Sequence, residues 1–397
     1  MKMTTRLLTA FSFAGLAFGS AQAGEISSDP AQAKKDVQAA ADWLDGKLDS
    51  YGDFKVTYAG PVIEMRVSSH IPAVAGLAKM QVKGWQILER MSNNKIKVST
   101  SWSQAVHPAN GGREALRAGL TDAAPCFTIY HSRDYDMMNG TGLPFLFENT
   151  REASAVIQHL YPKYLKKEFE KYGVMLQRIQ MNSPYHLYTA NKQVRTLDDM
   201  KGLKVRGAGG IDSEIITALG GTAISMPATD AYSAMQNGTI DGIHFADLGA
   251  AIFKIDQVAK YRTVNGFNSV TLEYCVRSDF FEKLPSDLKV VFNAWAQQYN
   301  MAEAIIGYDY DSDIVLAKMV KKTGIETIKL PPAELARWKD KLKGIEDGWI
   351  AKTSAKGLPA KEFIAEAKKL AAKYDAMTPN ELMLDAIKNP VQGMRGN

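Results

Sequence analysis

The chain has 397 residues, 46% of them hydrophobic and 23% charged, with a formal net charge of +5. This is ordinary globular material, which excludes disorder as a general description, and 48 basic against 43 acidic residues is too balanced for a nucleic-acid binder. The length suggests two lobes or domains rather than one.

In chain order, residues 1–23, MKMTTRLLTAFSFAGLAFGSAQA, are expected to be a cleavable signal peptide. Lys2 and Arg6 flank the start of an apolar run ending at Phe18, and Ala21-Gln22-Ala23 supplies the small-x-small cleavage pattern. The run is shorter than the ~20 residues of a membrane span. Removing Lys2 and Arg6 leaves 46 basic against 43 acidic residues, a charge of +3 on a mature chain expected to lie outside the cytoplasm. An N-terminal helical extension (24–61) follows, with an amphipathic helix from Asp29 to Tyr51.

From there strand and helix patterns alternate. Glu64–Val67 reads as a strand, Ala73–Met91 as a helix, Lys95–Thr100 as a strand, Gly112–Ala118 as a helix and Asp122–Ala124 as a strand. Charged helix material from Thr150 to Lys171 leads to a strand at Val174–Ile179. The same grammar restarts with Lys204–Arg206, a helix at Ile211–Leu219, and a turn at Gly238–Gly242 into a further strand. Such βαβ series predict parallel sheets covered by helices, hence two α/β lobes. The predicted division is 62–182 plus 270–310 for lobe I and 183–269 plus 311–397, with the C-terminal helices, for lobe II. A helix starting at Ser286-Asp287 runs toward Gly324 and braces both lobes unless Gly307 kinks it. Cys126 and Cys275 could oxidise to a disulfide outside the cytoplasm, but spacing alone does not fix their separation, and two buried free thiols are the preferred reading.

Arg206 stands out, between a short strand and the glycines of GAGG. Its guanidinium is a rigid fork of donors matched to a carboxylate, and at a strand end it faces the crevice where open α/β sheets bind ligands. A phosphate loop is excluded by spacing: the third glycine of a dinucleotide fingerprint falls on Asp212, and no GK(S/T) follows. Gly207, Gly209 and Gly210 are expected to give the backbone clearance beside the ligand, ahead of a helix whose N-terminus favours an anion.

The ordered pieces GLPFLF (142–147), DDMKGLKVR (198–206), YSAMQNG (232–238) and FEKLP (281–285) resemble the solute-binding receptors of TRAP transporters (tripartite ATP-independent periplasmic transporters). The GAGG loop is nearest the variant of the 2-oxo acid and monocarboxylate subgroup. The resemblance implies an α/β, two-lobed periplasmic binding protein (Venus flytrap) with hinge strands and a long bracing helix. It implies capture of an organic acid, delivery to TRAP membrane permease subunits, and no enzymatic activity. Arg206 is then the carboxylate anchor.

Around it the expected contacts are Tyr185 and His186, where relatives carry a second arginine, His244, Phe245 and Asp247 after the Asp241-Gly242 turn, and His70 from the first lobe. His107 is a further loop histidine within reach. Losing the second arginine disfavours a dicarboxylate, and His244 in place of an acidic residue argues against a bridging cation, so no cofactor or metal is expected. The chain is expected to be a monomer or homodimer. The rival classes are a periplasmic enzyme acting on a small organic acid and a sensory ligand-binding subunit. The six histidines show no HxxxH, and GxSxG and CxxC are absent, which disfavours the enzyme.

Overall fold

In the computed structural model, which describes residues 25–48 and 54–395, the eleven strands of the described residues form two sheets. In chain order they are β1 (Ile63–Ser68), β2 (Ile96–Ser101), β3 (Ala123–Pro125), β4 (Val174–Met181), β5 (Tyr185–Thr189), β6 (Lys204–Gly207), β7 (Thr222–Ser225), β8 (Gly242–Ala246), β9 (Tyr261–Val264), β10 (Thr271–Arg277) and β11 (Glu326–Lys329). The expected signal peptide lies outside the described residues.

The first sheet has the order β2-β1-β3-β10-β4 and the second β11-β9-β5-β8-β6-β7. β1 runs parallel to β2 and β3, as the helices Gly76–Met91 and Gly112–Arg117 between them require. In Gly76–Met91 the apolar residues Leu77, Met80, Leu88 and Met91 are buried on one stripe, the spacing that made the helix legible. β10 is antiparallel to both β3 and β4, so the first sheet is completed by a strand that returns from the second lobe.

The chain therefore crosses between sheets twice, after β4 and before β10. The two crossings are hydrogen-bonded to one another: Asn182 N donates to Val270 O at 2.9 Å and Tyr185 N to Asn268 O at 2.9 Å. A third connection is helical. Ser286–Glu303 packs on β4 and on Gly76–Met91, whereas Asp311–Thr323 packs on Asp247–Ile252 of the second lobe. Between them Ala304–Tyr310 is a π-helical segment, so Gly307 widens the helix rather than breaking it. A Cβ at Gly307 would lie 3.3 Å from Leu77 Cδ1 and Met80 Sδ, and the glycine lets the two helices approach. The whole run spans about 57 Å at 1.5 Å per residue.

Several details differ from the sequence reading. The N-terminal extension folds as two short helices, Pro30–Asp36 and Gln38–Leu44, which break at Val37. Its buried Trp43 stacks on Tyr299 and donates to Gln298 Oε1 at 2.9 Å, fixing the extension to the long helix. Asp287 does not cap that helix; its carboxylate accepts from Thr57 N at 2.6 Å and Tyr58 N at 2.8 Å. The helices Ala360–Asp375 and Pro379–Lys388 pack on Thr150–Leu160 and Ser286–Glu303, on the side of the first sheet, not with the second lobe to which the sequence reading gave them.

The cysteines are not free. Cys126 follows β3 and Cys275 lies on the neighbouring antiparallel β10, which brings their Cα atoms to 5.7 Å in a disulfide. The bridge closes a loop of 149 residues, for which chain-entropy arguments give a stabilisation of about 5 kcal/mol. A Cys126→Ala/Cys275→Ala double variant should lose about 2–5 kcal/mol of unfolding free energy in urea titrations. An unchanged midpoint would show that packing alone holds β3 on β10.

Candidate functional site

Between the two sheets lies a cavity reached by the ends of strands from both lobes. The second lobe contributes Arg206 from β6, Tyr185 from β5 and Phe245 from β8. The first contributes His70 from the loop after β1, Phe127 and Tyr130 from the turn after β3, and Tyr274 from β10. Asn182, in the hinge crossing, completes the polar part of the lining.

Arg206 is 1% exposed. Its Nε donates to Met226 O at 3.0 Å, and its guanidinium carbon sits 5.3 Å from the centre of the Phe245 ring. Nη1 is buried and has no hydrogen-bond partner in the protein. Burying a cationic donor without a partner costs free energy that an anion in the cavity recovers. His70 also presents a buried nitrogen, Nδ1, without a partner, and its ring meets Phe127 edge-on at 5.0 Å. Burial, with His107 adding to it, pushes the His70 imidazole down to about 4, so the ring is neutral above that pH.

The glycines after Arg206 have a different neighbour from the one expected. Gly209 has φ 129°, and a Cβ there would stand 2.6 Å from the carbonyl oxygen of Ile129 in the first lobe. Gly210, at φ 44°, would bring its Cβ to 2.8 Å from Asn139 Oδ1. Their clearance is for the opposing lobe, not for a solute. Beside them Ala228 N of the second lobe donates to Tyr130 Oη of the first at 3.2 Å, so the lobes meet along this seam. In the first turn of the helix Gly210–Ala218, Asp212 reaches back and accepts from Ala208 N at 2.7 Å.

Of the residues singled out from sequence, Arg206, Tyr185, Phe245 and His70 come together on the cavity; His244, His186 and Asp247 do not line it. His244 Nδ1 is 2.6 Å from Asp212 Oδ1, and its ring packs edge-on against Tyr185, so it braces the GAGG loop. Asp247 is held by Arg262, at 2.6 Å and 2.5 Å, and by the Tyr188 hydroxyl. With His186 it borders a separate cavity on the far side of the hinge. His107 is bound to Ser68 Oγ at 2.6 Å and to Pro108 O at 2.8 Å, and holds its own loop. Phe127, Tyr130 and Tyr274 were not foreseen. The strand-end rule that pointed to Arg206 applies equally to the residues after β3, and the two cysteines flank this aromatic wall in sequence. Tyr274 is fixed from behind by Arg178, whose guanidinium lies 3.6 Å from the ring centre and pairs with Glu303 at 2.8 Å.

Residues 70–352 match the family model DctP, bacterial extracellular solute-binding protein, family 7. The chain is 23% identical over 301 residues to the C4-dicarboxylate-binding periplasmic protein DctP of Rhodobacter capsulatus, covering 74% of this chain and 87% of that protein. It is 26% identical over 257 residues to a solute-binding protein of Albidiferax ferrireducens, covering 64% and 75%. Among solved structures, it is similar to a TRAP solute-binding protein from Rhodoferax ferrireducens in complex with copurified benzoate, with a TM-score of 0.72, 18% identity and coverage of 79% and 98%. A TRAP periplasmic solute-binding protein from Bordetella bronchiseptica with bound mandelate gives a TM-score of 0.72, 23% identity and coverage of 78% and 99%.

Asp212 carries the local architecture of the site. Asp212→Ala leaves Ala208 N and His244 without their acceptor and should lower stability by about 3 kcal/mol in urea unfolding. Wild-type stability would show that the GAGG loop holds its shape without it.

Proposed function

Because the chain belongs to family 7 of the bacterial extracellular solute-binding proteins, we propose that it captures a small organic acid between its lobes, with the carboxylate on Arg206, and delivers it to the membrane permease of a TRAP transporter. The observation that carries the reading is the buried, unpartnered Nη1 of Arg206 in the interlobe cavity. A carboxylate there takes the donors that the protein leaves unused, in a site where water does not compete. The structural neighbours that hold benzoate, mandelate and galactonate, all carboxylates, support the same chemistry.

Transport follows from the hinge. Solute enters while the lobes are apart; bridging Arg206 to first-lobe groups then favours the closed form, which the permease reads. A receptor fits the lining better than an enzyme does, since the cavity wall among the described residues offers no serine, cysteine or carboxylate. The disulfide fits an oxidising compartment, and no described helix is long and apolar enough to cross a membrane, as a periplasmic receptor requires.

Arg206→Ala should weaken binding of the best carboxylate on the order of 100-fold, the value of two charge-assisted hydrogen bonds, in isothermal titration. Near-wild-type affinity would remove Arg206 as the anchor. The pH profile is a second check. His70 gains charge only as the pH falls through about 4, and the solute carboxylate is already ionised well above that, so affinity should stay flat from pH 8 to pH 5. A steep gain in affinity over that range would mean that the site takes up a proton on binding.

A further inference from the structure

We infer that the solute is an aromatic monocarboxylate: one carboxylate on Arg206 and a flat, largely apolar ring held in an aromatic cage built from both lobes. The inference rests on the receptor reading above and deepens it.

The charge count comes first. Arg206 is the one cationic side chain in the lining among the described residues. The two nearest candidates for a second are engaged elsewhere: Arg178 is fully buried against Glu303, and Arg262 is forked on Asp247. His70 is neutral through the physiological range. A second carboxylate would enter the cavity without a counter-charge, and desolvating it there is strongly unfavourable.

The body of the solute is described by the walls. Phe127 meets Tyr130 and Tyr274 edge-on, each at 6.0 Å between ring centres. On the second lobe, Phe245 meets Tyr185 edge-on at 5.7 Å and lies tilted by 34° against Phe253 at 6.1 Å. The two sets join where His70 stacks on Phe253 at 6.1 Å with 25° between the planes. Ile71, Leu248 and Ile252 fill between the rings. Such walls offer faces and edges to another ring and few partners to a chain of hydroxyls. Hydroxyls of a sugar acid would lose water without replacement, whereas the spare nitrogen of His70 and the unpartnered Tyr308 hydroxyl suit one ring substituent at most a few atoms in size. The cavity volume is about 60 Å³, which admits a small solute only.

Phe245 is central, because it forms both a cavity wall and the surface under the Arg206 guanidinium. It therefore aligns the fork while contacting the ring that the fork holds.

The test titrates the mature chain, dialysed free of copurified solute, with benzoate, cyclohexanecarboxylate, succinate and galactonate by thermal shift and isothermal titration. Benzoate should bind at least tenfold more tightly than any of the other three, and Arg206→Ala should weaken it on the order of 100-fold. Phe245→Leu, which keeps an apolar filling without the ring, should erase the preference for benzoate over cyclohexanecarboxylate. Tighter binding of succinate or galactonate, still lost in Arg206→Ala, would overturn the aromatic inference and leave the carboxylate receptor standing. Equal binding of benzoate and cyclohexanecarboxylate by the wild type would overturn the cage. If none of the four shifts the melting temperature, the receptor reading falls with it.

Discussion

A guanidinium buried in an apolar cavity with a nitrogen left unpaired is the constraint around which the rest of the molecule is arranged. Left alone, such a group unfolds its surroundings or draws in water. Here the Met226 carbonyl takes Nε and the Phe245 ring supports the plane, so the deficit is confined to the side that faces the cleft. The neighbouring carboxylate, Asp212, does not neutralise Arg206. It is spent on Ala208 N and His244, which hold the loop beside the arginine, and Nη1 of Arg206 keeps no partner in the protein. Site and scaffold thus use separate charges, and the positive charge of the site remains available for recognition.

The same separation explains what the amino-acid sequence disclosed. Alternating strand and helix patterns are local, so the two α/β lobes and the long helix are readable, and Arg206 is readable because a lone cation at a strand end has few structural uses. Pairings across the fold are not local. His244 and Asp247 look like ligand contacts until tertiary structure brings Asp212 and Arg262 within 3 Å of them. The aromatic wall has the opposite problem: Phe127, Tyr130 and Tyr274 are the residue types that fill any core, and their position at the cavity follows only from the return of β10 into the first sheet. That return also creates the disulfide, whose partners stand 149 residues apart.

Connectivity decides what kind of motion remains. Two strand crossings bonded to one another, and one helix with a π-helical middle, tie the lobes at one edge and leave the opposite edge to open. The widened segment has weaker hydrogen-bond geometry than the regular helix on either side, which concentrates bending there. The separate cavity bordered by His186 and Asp247 lies on this hinge side, and Asp247 there is paired with Arg262.

The seam between Tyr130 and Ala228, with Gly209 laid against the Ile129 carbonyl, is made of protein atoms alone. Its contribution to closing the lobes is therefore the same whichever molecule arrives, and the solute supplies only the remainder. The strength of the seam sets a trade-off: a stronger one raises apparent affinity, and it equally raises the share of receptors that shut on nothing. Such unladen receptors occupy the permease as decoys. Among the described residues this seam holds one neutral hydrogen bond, a modest contribution that leaves most of the closing free energy to the cargo.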